Sequence, residues 1–279
     1  MREVQDGRVP RLLLSAAVAT VVCVTTAGCG DDLVAEPGPP ATELGVEVVA
    51  THPHDPEAFT QGLEIDEGEL LEGTGRAGRS WVSAREVDLD SGTVTLAETE
   101  RTREPVLDDL FGEGITVVGD ELWQLTWKDG TAVVRDRDTL LEKRRVDYDG
   151  EGWGLCAQPD RLVMSDGSAE LIFRDPATFD EVGRVTVHRD GRAVSKLNEL
   201  ECTEDGRVWA NVWQTDEIVL IDPASGRVEA RVDAAPLRDR LPEGADVDVL
   251  NGIAHIPGTD RFLVTGKYWP TLFEVRFVE

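Results

Sequence analysis

The chain has 279 residues, of which 41% are hydrophobic and 30% charged, so it is too apolar for a disordered protein and has the composition of a globular one. With 28 Lys and Arg against 55 Asp and Glu, its formal net charge is −27. Because phosphate recognition needs clustered cations, this charge argues against nucleic-acid binding and against charge-driven docking on an anionic membrane. The simplest interpretation is a solvated acidic surface, and a surface that attracts cationic N-termini is the alternative.

Residues 1–28 predict an export signal. Three arginines within residues 1–11 precede an apolar run over 12–24, which is too short to span a bilayer comfortably and is typical of a signal-peptide core. The run ends in Thr-Ala-Gly-Cys at 26–29, which resembles a bacterial lipobox except that threonine stands where leucine is usual. We expect lipidation of Cys29 and a lipid anchor at the outer face of the bacterial cytoplasmic membrane. Simple secretion is the alternative.

Residues 29–43 predict a flexible tether, because they are rich in Gly, Pro, Ala and acidic residues. The folded domain is therefore expected to span 44–279. It contains two cysteines, Cys156 and Cys202. In an exported protein they could form a disulfide or stay as two buried thiols, and the sequence leaves this open.

A repeat of 40 to 50 residues organises the domain. An Asp followed three residues later by Ser or Thr recurs at Asp88, Asp136, Asp175 and Asp222, with spacings of 48, 39 and 47 residues. Each copy follows an apolar strand pattern and predicts a turn held by side-chain hydrogen bonds. No stretch sustains the apolar period of a long helix. Repeats of this length with several short strands are typical of β-propeller blades.

Five repeat openings predict an all-β, five-bladed β-propeller. The openings are the pairs at 61–62, 113–114, 153–154, 198–199 and 251–252. The fifth unit has its third strand over 273–278, so a strand over 46–51 is expected to pair with the last blade and close the ring. Trp123 and Trp209, which occupy matching positions in two units, are expected to pack between blades.

One end of the propeller axis is predicted to collect polar and aromatic side chains; we call this end the rim. The repeat openings lie there, and the second strands, which run antiparallel, return to it. The residues placed at the rim in this way are Gln61, Glu113, Trp127, Trp153, Asp166, Asn198, Trp213, Asn251 and Lys267. Singly, the tryptophans could be core residues, Glu113 a solvated acid and Lys267 a surface cation. Their chemistry differs from unit to unit, however, which favours a small-ligand site over a purely structural repeat.

Several segments resemble plant-type and bacterial glutaminyl-peptide cyclotransferases, in the same order along the chain. They lie at 54–63, 110–114, 152–155, 197–201, 208–214, 248–254 and 265–273. The resemblance extends from about residue 46 to the last residues and implies a five-bladed propeller, unrelated in fold to the zinc-dependent animal enzymes.

The resemblance also implies an activity: cyclisation of the N-terminal glutamine of peptides or proteins to pyroglutamate, with release of ammonia. It assigns the proton transfers to Glu113 and stabilisation of the γ-oxygen to Asn198 and Lys267. The implied substrate-binding residues are Phe59, Gln61, Trp127, Trp153, Trp213 and Asn251. We expect no cofactor, no metal, no nucleic-acid partner and a monomer.

Two other functions stay open on sequence alone. A non-catalytic surface propeller could bind a peptide or glycan at the rim. A propeller lactonase or similar hydrolase would need a metal-binding ring, for which only Glu113, Asn198 and Asn251 are available, and Lys267 would oppose the metal electrostatically. The histidines lack ligand spacing, and the sequence has no nucleophile elbow or nucleotide-binding fingerprint.

Overall fold

The computed structural model describes residues 39–89 and 94–279. Over these residues the fold is all-β, as predicted, with a single short 3-10 helix at Ala235–Arg240. The predicted signal segment, the lipidation candidate Cys29 and most of the tether lie outside the described residues. The first strand begins at Thr42, slightly before the predicted domain start. No helix in the described part of the chain is both long and apolar enough to cross a membrane.

The strands follow the predicted repeat units. Strand β1 spans Thr42–Pro53. The first unit contains β2 (Thr60–Asp66), β3 (Glu69–Thr74), β4 (Trp81–Asp88), β5 (Thr95–Leu96) and β6 (Thr102–Pro105). The second contains β7 (Gly112–Val118), β8 (Glu121–Thr126), β9 (Thr131–Asp136) and β10 (Glu142–Asp147). The third contains β11 (Leu155–Gln158), β12 (Arg161–Met164), β13 (Glu170–Arg174) and β14 (Glu181–Thr186). The short pair β15 (His188–Arg189) and β16 (Arg192–Ala193) follows. The fourth unit contains β17 (Leu197–Cys202), β18 (Val208–Val212), β19 (Glu217–Asp222) and β20 (Arg227–Asp233). The fifth contains β21 (Leu250–His255), β22 (Arg261–Gly266) and β23 (Thr271–Val278).

Each unit is an antiparallel meander, and β1 links the last two units into one ten-stranded sheet. β1 pairs antiparallel with β23, with Val46 opposite Phe277 and Thr51 opposite Phe273, so the expected pairing of an early strand with the last unit is confirmed. Its first residues also pair in parallel with β20, from Thr42 opposite Ala230. Two edges that would otherwise expose backbone groups are therefore covered.

The first strands of the units contact one another in cyclic order. β2 contacts β7, β7 contacts β11, β11 contacts β17, β17 contacts β21, and β21 returns to β2. A separate hydrophobic cluster lies between each pair of neighbouring units. Trp123 packs with third-unit residues and stacks on Phe179, and Trp209 packs with fifth-unit residues, which confirms their predicted positions between units.

At four of the five opening pairs the first strand departs from regular pairing. The register shifts between Thr60 and Gly62 in β2, and equivalent shifts interrupt β7, β17 and β21. A bulge of this kind re-aims the side chain that it carries. The second residue of an opening pair is usually glycine, because the backbones of neighbouring units approach closely there. A Cβ on Gly114 would lie 2.6 Å from the amide nitrogen of Leu155 in the next unit.

Glu199 breaks this glycine pattern for a structural reason. It is buried, and its carboxylate accepts hydrogen bonds from the amides of Leu63 (3.2 Å) in the first unit and Ile253 (2.9 Å) in the fifth. One side chain of the fourth unit therefore connects three units across the axis. Burial raises the pKa of Glu199 well above that of an ordinary carboxyl.

The residues toward the C-terminal ends of the first strands line a small cavity of about 170 Å³. Glu64 and Glu201 line it, and burial raises the pKa of Glu64 to about 7 and that of Glu201 well above its ordinary value. Cys156 and Cys202 also line it and form a disulfide between β11 and β17, with their Cα atoms 5.4 Å apart. The question that the sequence left open is thus answered by a covalent link between neighbouring units.

Three of the predicted aspartate turns are present. The amides of Thr139 and Thr178 donate to Asp136 and Asp175, each at 2.9 Å, and the Ser225 hydroxyl donates to Asp222 at 2.6 Å. Each turn joins the third strand of its unit to the fourth. The serine partner of Asp88 lies outside the described residues.

Candidate functional site

A cavity of about 250 Å³ lies where the openings of the units meet the ends of the second strands; we call it the site cavity. Eight of the nine catalytic and binding residues predicted from the sequence line it, namely Phe59, Gln61, Glu113, Trp127, Trp153, Asn198, Trp213 and Lys267. They come from all five units. The side chains of one strand point alternately to its two faces, which does not by itself bring residues from five units together. Their convergence follows from the cyclic contacts of the first strands and from the bulges in those strands.

Asn251, the ninth residue, lies behind the cavity wall. It is fully buried, and its Nδ2 donates to the carbonyl of Thr60 (2.9 Å) and to Oε1 of Gln61 (3.2 Å). With its oxygen held in this way, Gln61 directs its Nε2 to Oε1 of Glu113 at 2.8 Å. Asn251 therefore orients Gln61, and Gln61 orients the carboxyl of Glu113.

Glu113 and Lys267 are the two ionisable groups buried in the cavity wall, each only 4% exposed. Burial raises the pKa of Glu113 well above its usual range, although the ammonium of Lys267 opposes the rise and the carboxylate of Glu151 adds to it. Burial also lowers the pKa of Lys267 to about 8, with Glu113 opposing that change. Burial thus shifts both pKa values in the direction that favours the uncharged form of each group, as is common for residues of active sites.

Backbone hydrogen bonds fix Lys267 just after β22. Its amide donates to the carbonyl of Val249 and its carbonyl accepts from the amide of Asp248, each at 2.9 Å. The ammonium lies 4.5 Å from the centre of the Phe59 ring. The charge is thus held against an aromatic face at one side of the cavity.

Aromatic rings form most of the remaining wall. Trp153 and Trp213 meet edge to face with ring centres 5.3 Å apart, and Phe111 lies 5.5 Å from Trp127 and 6.0 Å from Phe59. Apolar rings lower the local dielectric, and a lower dielectric strengthens the electrostatic interactions of the groups beside them.

A single carboxylate oxygen orients two of the indoles. Oε2 of Glu151 accepts hydrogen bonds from Nε1 of Trp127 at 2.8 Å and from Nε1 of Trp153 at 3.1 Å. Lys128 lies 3.6 Å from the other oxygen of Glu151. Glu151 does not line the cavity itself, but it ties together two walls that come from different units.

Asn198 contributes an amide to the cavity. The residue is 2% exposed, and its Oδ1 has no hydrogen-bond partner among the described residues. A buried amide without a partner costs free energy, so such a group in a cavity wall is suited to a polar ligand. The Asn198 carbonyl accepts from Oγ of Ser165 at 2.6 Å, which fixes the backbone beside the amide.

Several lining residues were not identified from the sequence, namely Arg76, Phe111, Gln214, Asp248 and Val249. Phe111 stands within a segment of the family resemblance, and its neighbour Glu113 could have drawn attention to it. Arg76 and Gln214 follow second-strand ends, which is the signal that found Lys267. Asp166, which the same signal placed at the rim, lies outside the cavity, and its carboxylate accepts the amide of Ser168 at 2.9 Å.

The cavity thus combines a carboxyl and an ammonium of shifted pKa, an amide whose oxygen has no partner among the described residues, and apolar walls. Such a set can move a proton and stabilise a developing oxyanion on a small polar group. In the part of the chain that the structure covers, no group of three or more His, Cys, Asp or Glu side chains is arranged to hold a metal ion.

Comparison with known proteins gives consistent results. A family described as glutamine cyclotransferase matches residues 14–277, a range that contains every residue lining the site cavity. A glutaminyl-peptide cyclotransferase from Arabidopsis thaliana is 39% identical over 235 residues, which cover 83% of this chain and 71% of the plant protein. The crystal structure of Myxococcus xanthus glutaminyl cyclase is similar with a TM-score of 0.76 and 36% identity, covering 85% of this chain and 98% of the bacterial one.

Proposed function

Because this chain belongs to the glutamine cyclotransferase family, we propose that it cyclises the N-terminal glutamine of peptides or proteins to pyroglutamate. In this reaction the α-amine nitrogen attacks the γ-amide carbon of the same residue. A carbon–nitrogen bond forms, the bond to the amide nitrogen breaks, and ammonia leaves. The observation that carries the proposal is the buried pair of Glu113 and Lys267 in one indole-walled cavity.

Glu113 is proposed to move the proton. As a carboxylate it takes a proton from the attacking amine, and as an acid it then gives that proton to the departing nitrogen. Burial raises its pKa, which makes the carboxylate a stronger base toward the attacking amine than an ordinary carboxylate in water. The hydrogen bond from Gln61 holds one oxygen, which leaves the other for the substrate.

Asn198 and Lys267 are proposed to stabilise the negative charge that develops on the γ-oxygen. Nδ2 of Asn198 and the ammonium of Lys267 are both donors, and both residues line the cavity. Donors held by a folded scaffold need little reorganisation during the reaction, and one such donor typically contributes about 10²–10³-fold to the rate.

The three tryptophans are proposed to hold the glutaminyl side chain folded back on its own amine. Attack within one residue needs the two groups in contact, and an extended side chain would separate them. Fixing that geometry on binding speeds the reaction, because the loss of conformational freedom has already occurred before the transition state is reached. The hydrogen bonds from Trp127 and Trp153 to Glu151 keep two of the rings in place.

Metal independence belongs to the same proposal. Every proton transfer and every stabilising contact in the scheme is assigned to a side chain of this protein. The Lys267 ammonium would also repel a second cation placed in so small a space. Turnover should accordingly survive treatment with a chelator, and a loss that is restored by added metal would contradict this part of the scheme.

A five-bladed β-propeller is the architecture that we propose for the domain. The cyclic contacts of the first strands and the five clusters between units support it. An experimental structure that shows a number of blades other than five would refute it.

Export and lipid anchoring are proposed from the sequence of the first 29 residues. Expression of the full chain in a bacterium should give a membrane-associated protein that incorporates labelled fatty acid, and Cys29→Ala should abolish the label. A labelled Cys29→Ala protein, or an unlabelled full chain, would contradict lipidation.

The decisive experiment is ammonia release from a glutaminyl peptide by the purified domain. We expect stoichiometric ammonia and pyroglutamyl product, measured by a coupled assay and by mass spectrometry. A peptide with N-terminal asparagine is the control, since its ring would be one atom smaller. Binding of the glutaminyl peptide without ammonia release would favour a non-catalytic binding protein.

A further inference from the structure

A larger groove adjoins the site cavity. It has a volume of about 940 Å³, and its lining includes Arg76, Arg79, Trp81 and Tyr268. Arg76 lines both the groove and the site cavity. A chain that leaves the site cavity at this point therefore passes the Arg76 side chain.

Arg76 carries a charge with no acidic partner. Its guanidinium carbon lies 3.9 Å from the centre of the Phe59 ring, and its Nε donates to Oη of Tyr268 at 2.9 Å. Over residues 39–89 and 94–279 it forms no ion pair with a carboxylate, in contrast to Arg103 on the same groove, which contacts Asp55 at 2.9 Å. The Arg76 charge is thus positioned by aromatic groups and free to pair with a ligand.

The backbone at Arg76 is held in an unusual conformation. Its φ is 99°, in a region of backbone conformation that residues other than glycine rarely adopt. Hydrogen bonds to its carbonyl from the amide of Arg79 and from Oγ of Ser80, both at 2.9 Å, maintain the turn. Strain of this kind persists where the surrounding structure requires it, and here it keeps an arginine at the junction of two cavities.

We propose that the larger groove receives the substrate chain beyond the N-terminal glutamine and that Arg76 selects a carboxylate on the second residue. The proposal rests on the function proposed above. Phe59 contacts both cations: the Lys267 ammonium lies 4.5 Å from its ring centre and the guanidinium carbon of Arg76 lies 3.9 Å from it. An extended chain advances about 3.5 Å per residue, so we expect the residue that follows the glutamine to lie beside the Arg76 side chain.

Two kinds of substrate supply this carboxylate. In a longer peptide it is the side chain of Asp or Glu at position two, and in a dipeptide it is the terminal carboxylate. Glu57, Glu243 and Asp246 also line the groove, and their negative charges oppose a general preference for acidic peptides. We therefore expect the preference to be strongest at the second residue, which lies nearest Arg76.

The test compares kcat/KM for matched peptides by ammonia release. One pair is Gln-Glu-Ala-amide and Gln-Gln-Ala-amide, which differ only in charge at position two, and the other is the dipeptide Gln-Ala with a free or an amidated carboxyl. We expect about a tenfold preference for the charged member of each pair, decreasing with salt. Arg76→Gln should remove the preference in both pairs.

Arg184→Gln is the matched control. It changes the net charge by the same amount, but Arg184 is exposed on β14, where it pairs with Glu181 at 2.6 Å. This control should keep the full preference. Equal kcat/KM for the members of both pairs in the wild type overturns the proposal, as does a preference that survives Arg76→Gln or disappears equally in Arg184→Gln. If only one pair responds to Arg76→Gln, the proposal holds for that source of the carboxylate.

A binding measurement separates this proposal from the proposed reaction. The indoles of the site cavity report peptide binding by fluorescence, so Kd for the same pairs can be measured in Glu113→Gln without turnover. A charge preference in Kd that depends on Arg76 supports the groove assignment even if no ammonia is released. Peptides that bind without any charge preference overturn it while leaving the reaction intact.

Discussion

Replacing Glu113 by Gln separates catalysis from stability more sharply than any other single change in the site cavity. The amide oxygen of the new side chain can still accept the hydrogen bond from Gln61, now at 2.8 Å to the carboxylate. Exchanging a charged acceptor for a neutral one costs about 1 kcal/mol, and removing an ionisable group from a buried position offsets that cost. We therefore expect the free energy of unfolding to change by less than about 1 kcal/mol.

The effect on turnover should be several times larger. A positioned acid–base group contributes roughly 10²–10⁴-fold, which is about 3–5 kcal/mol of barrier. The amide cannot accept a proton from the attacking amine at any accessible pH, so this contribution is lost entirely. The Kd of the substrate should change little, because the side chain keeps its size and its hydrogen bond.

The assay pairs ammonia release from a glutaminyl dipeptide with urea unfolding of the same preparations. Glu98→Gln is the control, because Glu98 is exposed and lines neither the site cavity nor the groove. Turnover within about threefold of the wild type would remove Glu113 from the mechanism. A loss of turnover accompanied by an equal loss of folded protein would assign the residue a structural role.

Four further outcomes are expected. Glu151→Ala should lower kcat/KM about tenfold by freeing two indoles, with partial rescue in Glu151→Gln, and unchanged kinetics would show that the rings need no support. Turnover at saturating peptide should fall above about pH 8 as Lys267 loses its proton, and a Lys267→Met variant should be slower and lack this decline; a decline that persists in the variant would contradict the assignment. Replacing Cys156 and Cys202 by Ala should cost about 4 kcal/mol of unfolding free energy, since the disulfide closes a loop with a sequence separation of 46, whereas a change below about 1 kcal/mol would argue against this reasoning. Burial raises the pKa of Glu201, so the folded state holds this proton more tightly than the unfolded state does. The free energy of unfolding should therefore be fully present below the ordinary carboxyl pKa and decline as the pH rises above it. A Glu201→Gln variant should flatten this decline, and an equally steep decline in the variant would exclude Glu201 as its source.

Much of the site could be predicted because it follows chain periodicity. The openings of the units and the ends of the second strands repeat at regular intervals, so the rule that finds Glu113 in the second unit also finds Asn198 in the fourth and Lys267 in the fifth. Bulges and glycines in the first strands are local features with a sequence signal. The strand that joins β23 was predictable for a similar reason, since the fifth unit has only three strands of its own.

The contacts that orient these residues were not predictable in the same way. Glu151 accepts hydrogen bonds from two indoles and lies in a loop that no repeat marks. Asn251 acts from behind Gln61 although its sequence position resembles that of a lining residue. Asp166 obeys the rule for second-strand ends, yet its carboxylate satisfies a local turn. Such differences depend on side-chain rotamers and on the loops between strands, which periodicity does not determine.

The position of β1 has a consequence for how the molecule is made. Val46 and its partner Phe277 are about 230 residues apart, so β1 can pair with β23 only after almost all of the domain has been synthesised. Contacts between such distant residues form slowly, and until they form both flanking edges are open to other chains. Nascent protein should therefore depend most on chaperones just before its two ends meet, and removal of the last strand should leave an otherwise complete molecule prone to aggregate.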